Sequence, residues 1–224
     1  MALDAAMPFD YESRMQRKIA ASKKLKIGIV GFGNFGQFIA KRLVSVGHEV
    51  IAVSRTPYFA EAEAIGVDFY TDMDDFCEEH PHVVVLASSI ISTEKVLQAM
   101  PLQRLRRSTL FVDVLSVKVF PKQLFLKELP RQFDILCTHP MFGPDSGKGS
   151  WNDLTFMYEK VRVSGDKKRQ ERLDTFLEFW KGQGCRLVEM SCEEHDRQVG
   201  ARAPGWAVFF PTLRWDSVCQ RRKR

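Results

Sequence analysis

Short apolar runs alternate along this chain with segments whose apolar residues recur at helical spacing. The stretch Lys26 to Val46, KIGIVGFGNFGQFIAKRLVSV, shows both in succession. Its first half carries no charge after Lys26, as a strand covered on both faces requires. Its second half sets Phe35, Phe38, Ile39, Leu43 and Val46 along a helix. The same alternation predicts strands at His48 to Val53, Val67 to Tyr70, Val83 to Ala87, Leu110 to Val114, Phe133 to Thr138, Thr155 to Val163 and Arg186 to Met190. Helices are predicted at Pro57 to Ala64, from a cap at Asp72 through Glu79, at Thr93 to Met100, at Val119 to Leu129 and at Lys167 to Gly182. In the last of these Leu173, Phe176, Leu177 and Trp180 face inward. Strand alternating with helix predicts an α/β chain built on a doubly wound, mostly parallel sheet. The pattern divides the chain into a lead-in over residues 1–24, with some helix near Arg14 to Ser22, one domain over 25–192 and a tail over 193–224.

Between the first strand and helix lie Gly31, Gly33 and Gly36, spaced G-x-G-x-x-G. In that context each glycine has its own task. Gly31 turns the chain off the strand, Gly33 lets a pyrophosphate approach the backbone, and Gly36 lets helix and strand pack closely. The N–H groups of Asn34, Phe35 and Gly36 then face the phosphates. Where a site for the unphosphorylated cofactor usually sets Asp or Glu after the second strand, this chain has Ser54, Arg55 and Thr56. A carboxylate would repel a 2′-phosphate, whereas a guanidinium and two hydroxyls bind it, so the expected cofactor is NADP. Ser88 and Ser89 follow the strand at Val83, on the sheet edge where such folds present their ligand, and Ser88 is a candidate cofactor contact.

The 224 residues and their 45% hydrophobic content suffice for one generous domain. The net charge of +5 is concentrated at the end, where Arg202, Arg214, Arg221, Arg222, Lys223 and Arg224 face only Asp216. Such a run reads as a solvated tail. No basic and aromatic residues interleave as on a nucleic-acid-binding sheet, so no nucleic-acid partner is expected. No apolar run reaches the roughly 18 residues of a membrane span, and no membrane partner is expected. Five cysteines without C-x-x-C pairing fit a reducing compartment. No histidine falls in a metal-ligand spacing, and no metal is expected. The acidic residues of Asp10 to Glu12 do not suit a transit peptide.

Two further stretches carry chemistry. DVLSVK places Asp113, Ser116 and Lys118 at a strand end, and HPMFGPDSGKGS follows the strand at Phe133 with His139 and a glycine- and proline-rich loop. Loops at such strand ends are where sites are built. From the residues alone His139 reads either as a satisfied structural histidine or as a catalytic one. Lys118 reads as a helix-start surface lysine or a contact for a substrate carboxylate, and His195, in CEEHDR, as a residue of a charged segment or of a helix start. His48, His80 and His82 read as solvated junction residues.

Taken together, GFGNFGQFIA, VSRT, DVLSVK, HPMFGPDSG and CRLVEMSCEEHDR resemble the arogenate and prephenate dehydrogenases of tyrosine biosynthesis, the plant arogenate dehydrogenases above all, from about Asp4 to Arg197. The resemblance implies a Rossmann-type fold and oxidative decarboxylation of arogenate, or of prephenate, with NADP in the plant enzymes. His139 would withdraw the proton of the ring hydroxyl, and Ser116 would contact the same hydroxyl. It also implies a plastid location and a homodimer formed by a helical second domain. From Gln198 the sequence departs from that pattern: Pro204, Gly205 and Pro211 interrupt any long helix, and Trp206, Phe209, Phe210 and Trp215 lack its periodicity. The expectation is a chain in which most of the helical domain, and its dimer surface, is replaced by a divergent end of the kind an altered frame or splice would give. NADP binding should then survive better than catalysis, and a non-catalytic NADP-binding form is the alternative function.

Overall fold

The structure is a computed structural model that describes residues 24–201; the lead-in helix near Arg14 and the aromatic stretch from Trp206 lie outside the described residues. Eight strands form one sheet: β1 (Lys26–Val30), β2 (Glu49–Val53), β3 (Asp68–Tyr70), β4 (Val83–Leu86), β5 (Leu110–Asp113), β6 (Asp134–Pro140), β7 (Thr155–Arg162) and β8 (Arg186–Glu189), in the spatial order β3-β2-β1-β4-β5-β6-β7-β8. All neighbours are parallel except β6 and β7, which run antiparallel with a register shift between Ile135 and Leu136. The helices are α1 (Asn34–Ser45), α2 (Phe59–Ile65), α3 (Met73–Glu78), α4 (Ile90–Ala99), α5 (Val119–Glu128), α6 (Lys167–Gly182) and α7 (Cys192–Ala201). The strand order reverses between β1 and β4, which opens a crevice at the carboxyl edge of those strands.

The charge-free strands follow from two-sided burial. Successive residues of a strand point to opposite faces. In β4, Val83 and Val85 join one apolar cluster with Ile39, Leu43, Leu173 and Trp180, while Val84 and Leu86 join another with Phe76, Leu97, Leu124 and Phe125. α1, α2 and α6 therefore cover one face, and α3, α4, α5 and the start of α7 cover the other. Asp72 caps α3 as expected, its carboxylate accepting the N–H groups of Asp74 and Asp75.

The expected elements are present, with shifted ends. α4 starts at Ile90 rather than Thr93, and β6 extends through His139 to Pro140 because it gains an antiparallel partner in β7. α7 is an added element. All but its first residue lies in what the pattern assigned to the tail, and its residues Cys192 and His195 are buried against the body.

Two of the junction histidines are half-buried and engaged with the backbone. His48 Nδ1 accepts the Leu25 N–H at 3.2 Å and His82 Nδ1 accepts the Lys26 N–H at 2.9 Å, so both satisfy the backbone at the entry to β1. The HPMFGPDSGKGS loop is likewise less free than its glycines suggest. Phe142 and Trp151 are buried, Trp151 Nε1 donates to the Gly147 carbonyl at 3.2 Å, and Arg42 of α1 donates to the Gly149 carbonyl at 3.0 Å. Trp151 stacks on Trp180, which stacks on Phe156, so the loop is fastened to α1 and α6 by aromatic rings.

Candidate active site

The first half of the site is the bend after β1. Gly31 has φ +98°, and a Cβ there would lie 2.8 Å from the Ser88 nitrogen, so only glycine fits against the end of β4. A Cβ on Gly36 would lie 2.3 Å from the Gly31 carbonyl oxygen, which makes helix and strand mutually exclusive with any larger residue at this position. At Gly33, by contrast, a Cβ would meet nothing within 4 Å. α1 begins there with no side-chain cap and no acidic residue in its first turn, and its first ladder bond runs from Gln37 N to Gly33 O at 3.0 Å. The amides of Asn34, Phe35 and Gly36 precede that ladder and make an unblocked place for an anion. These features fit the phosphates of a dinucleotide.

Beside the bend, Ser54 is half-buried, with its N–H donating to the Tyr70 carbonyl at 3.3 Å, and Arg55 and Thr56 are exposed. Ser88 follows β4, its hydroxyl 3.1 Å from that of Thr93. The glycine bend, the segment after β2 and Ser88 thus come together at one sheet edge, as the sequence leads one to expect.

The second half lies on the same edge. The register line through Val30, Leu86, Asp113 and Cys137 crosses from β1 to β6. Gly31 stands one residue and His139 two residues beyond it, three strand spacings or roughly 14 Å apart across the sheet. His139 is 6% exposed, and its Nδ1 lies 2.8 Å from His195 Nε2 on α7. His195 Nδ1 in turn lies 2.9 Å from Asp196 Oδ1. Asp196 also accepts the N–H of Lys118 on Oδ1 and of Val119 on Oδ2, each at 2.9 Å, and so caps α5.

Lys118 corrects the surface alternative. It is completely buried beneath β6, its ammonium paired with the Asp113 carboxylate and donating to the Thr138 carbonyl. Asp113 Oδ2 also accepts the Leu115 N–H, while its Oδ1 meets no hydrogen-bond donor in good geometry among the described residues. Burial, helped by the positive charge of Lys118 and by His195 and opposed by Asp196, lowers the pKa of His139 from 6.5 to about 3. The ring is therefore neutral at physiological pH, the form that can accept a proton. Burial raises the Asp113 pKa against the opposing pull of Lys118, and for Asp196 the bonds from His195, Val119 and Lys118 outweigh burial and lower it. Ser116 is exposed in the loop between β5 and α5 and makes no hydrogen bond within the described residues.

His195 and Asp196 were not singled out as site residues by the sequence. The signal present was the dipeptide itself, in a charged segment after the last strand. Only the packing of α7 on α5 and β6 shows that the imidazole turns inward.

A parallel sheet with an open, uncapped helix start after its first strand and a neutral imidazole farther along the same edge defines an α/β domain for a nicotinamide dinucleotide. The chain belongs to the family described as D-isomer specific 2-hydroxyacid dehydrogenase, NAD binding domain, which it matches over residues 6–123. It is 57% identical over 195 residues to arogenate dehydrogenase 2, chloroplastic, of Arabidopsis thaliana, covering 87% of this chain and 54% of the relative. It is 56% identical over 193 residues to arogenate dehydrogenase 1, chloroplastic, of the same plant, covering 86% of this chain and 30% of the relative. The chain thus spans about half or less of the length of these relatives. Among solved structures, the arogenate dehydrogenase of Synechocystis superposes with a TM-score of 0.63 at 20% identity, covering 78% of this chain and 63% of that one. The prephenate dehydrogenase of A. aeolicus, solved with hydroxyphenyl propionate and NAD+, gives a TM-score of 0.60 at 22% identity over 77% of this chain and 62% of that one. At these identities the superpositions speak for the fold.

Proposed function

We propose that this chain is the cofactor-binding and proton-accepting part of an NADP-dependent arogenate dehydrogenase, acting on arogenate or prephenate. The observation that carries the reading is the neutral, nearly buried His139 on the carboxyl edge shared with the Gly31 bend, in a chain more than half identical to plant arogenate dehydrogenases. The cofactor's phosphates would rest on the amides of Asn34, Phe35 and Gly36, with Gly31 and Gly33 leaving room and Ser88 beside the bend. Ser54, Arg55 and Thr56 would hold a 2′-phosphate through one full charge and two hydroxyls. When bound, the nicotinamide supplies the hydride acceptor. This chain's own part is to take the proton of the ring hydroxyl on the free nitrogen of His139, with Ser116 close to the same hydroxyl, while the ring loses its carboxylate as carbon dioxide.

The relatives are named chloroplastic, and a plastid location is inferred for this protein from that likeness.

The test is steady-state turnover with arogenate and with prephenate, each with NADP and NAD, followed through the absorbance of the reduced nicotinamide. Arogenate with NADP should give the largest signal. His139→Asn should remove turnover, by at least the roughly hundredfold that general base catalysis contributes, while calorimetric NADP affinity stays as it was. Saturable NADP binding without turnover in the unaltered chain would instead assign it to a non-catalytic binding role, and no NADP binding would sink the reading altogether.

A further inference from the structure

An imidazole serves as a base only on the nitrogen that carries no proton, so the tautomer of His139 decides whether the site can work. The chain of contacts behind it fixes the tautomer one donor at a time. Backbone N–H groups can only donate and an ionised carboxylate can only accept. Asp196 receives the Lys118 N–H on Oδ1 and the Val119 N–H on Oδ2, which holds its plane at the start of α5. His195 Nδ1 faces Oδ1 at 2.9 Å and must therefore donate. Carrying that one proton, His195 accepts on Nε2. His139 Nδ1 faces that acceptor at 2.8 Å and must donate in turn. The remaining nitrogen of His139, Nε2, keeps a bare lone pair and has no partner among the described residues.

We infer that Asp196, acting through His195, is a positioning residue that holds the single proton of His139 on Nδ1 and leaves Nε2 free as the base. The inference rests on the role proposed for His139 above, but its content is a proton position that exists without cofactor or substrate. The groups around the pair agree with it. The Lys118 ammonium beneath β6, paired with Asp113, opposes a positive charge on His139. α7 is held in place independently of the histidines: Cys192 N donates to Glu159 Oε2 at 2.6 Å, and Lys122 joins Glu159 at 2.7 Å to Glu193 at 3.0 Å. The same Asp196 thus caps α5 and sets the tautomer, which couples the docking of α7 to the readiness of the base.

The experiment is heteronuclear NMR of the full chain with nitrogen-labelled histidine at neutral pH, with the His139 signals assigned by their loss in His139→Asn. The unaltered chain should show His139 protonated at Nδ1 and unprotonated at Nε2. Asp196→Ala removes the last acceptor, and His195→Leu removes the link while leaving the cap on α5. Both should lose the single tautomer and shift the His139 nitrogen signals toward a mixture. A proton on Nε2 in the unaltered chain, as a doubly protonated His195 would impose, overturns the inference without any variant having to fold. So does a His139 spectrum that both folded variants leave unchanged. Calorimetry with NADP on the same samples separates the two levels, since absent cofactor binding would refute the proposed function while the proton position still stands or falls by its own signals.

Discussion

At the scale of single residues, Arg55 and His139 differ in what surrounds them, the first being exposed and the second buried. Arg55 is left exposed, where a 2′-phosphate can be met by a guanidinium, and a charge-assisted contact of this kind is worth about 1.5–3 kcal/mol. Arg55→Ala should therefore weaken NADP binding roughly 10- to 100-fold and leave NAD binding nearly unchanged, as calorimetry with the two cofactors would read. His139 is kept neutral by burial and by Lys118, with its pKa down from 6.5 to about 3. The unfolded ring takes a proton near pH 6.5 and the folded ring only near pH 3, so protons in that window favour the unfolded chain. This contribution to stability is complete above pH 6.5 and is lost as the pH falls toward 3, by up to about 1.4 kcal/mol per unit. Urea unfolding at several pH values should show that slope in the unaltered chain and a shallower one in His139→Asn. Equal slopes would mean that the ring is not held neutral. The glycine triplet was legible in the sequence because its conformation depends on the local backbone. Lys118 was not legible: Asp113 stands only five residues before it, but the Thr138 carbonyl reaches it through the pairing of β5 with β6, which no neighbouring residue announces.

At the scale of elements, the join between β1 and α1 is set against backbone. A methyl group at Gly36 would sit 2.3 Å from the Gly31 carbonyl oxygen, a backbone atom that cannot swing aside. Gly36→Ala should push α1 off the strand, cost about 1–3 kcal/mol in urea unfolding and weaken NADP binding in the same protein, because the displaced amides are those proposed to hold the phosphates. Unchanged stability and affinity would refute the close packing. The strands and most helices were readable because two-sided burial leaves charge-free runs and one-sided burial leaves helical periodicity. α7 was not, since CEEHDRQVGA is mostly polar and is held by capping, ion pairs and one buried thiol rather than by an apolar stripe. The length of β6 was also hidden, as its last residues depend on the antiparallel β7 rather than on their own composition.

At the scale of the whole molecule, two layers of helices clamp an eight-stranded sheet, and the loop from Met141 to Ser150 is fastened across one end of it. Trp180 is central to that fastening, stacked 4.1 Å from Phe156 and 5.3 Å from Trp151 between ring centroids. Trp180→Ala should cost about 3–5 kcal/mol of unfolding free energy, measurable as a shift in the urea midpoint, and should loosen the loop that follows His139. A loss below about 1 kcal/mol would show that the stack is not holding the domain together.

The sequence by itself determined the class of fold, the place of the glycine bend and the expectation of a phosphorylated cofactor, because each of these is written in neighbouring residues: a charge-free strand, three glycines, an arginine where a carboxylate usually stands. Tertiary structure alone decided that His139 is neutral, that Lys118 is buried and that His195 and Asp196 stand behind the His139 ring. Those properties come from contacts among the consecutive elements β5, α5 and β6 and from α7, more than 50 residues further on, and a side chain's proton affinity is set by the charges and the solvent that folding brings to it or takes away.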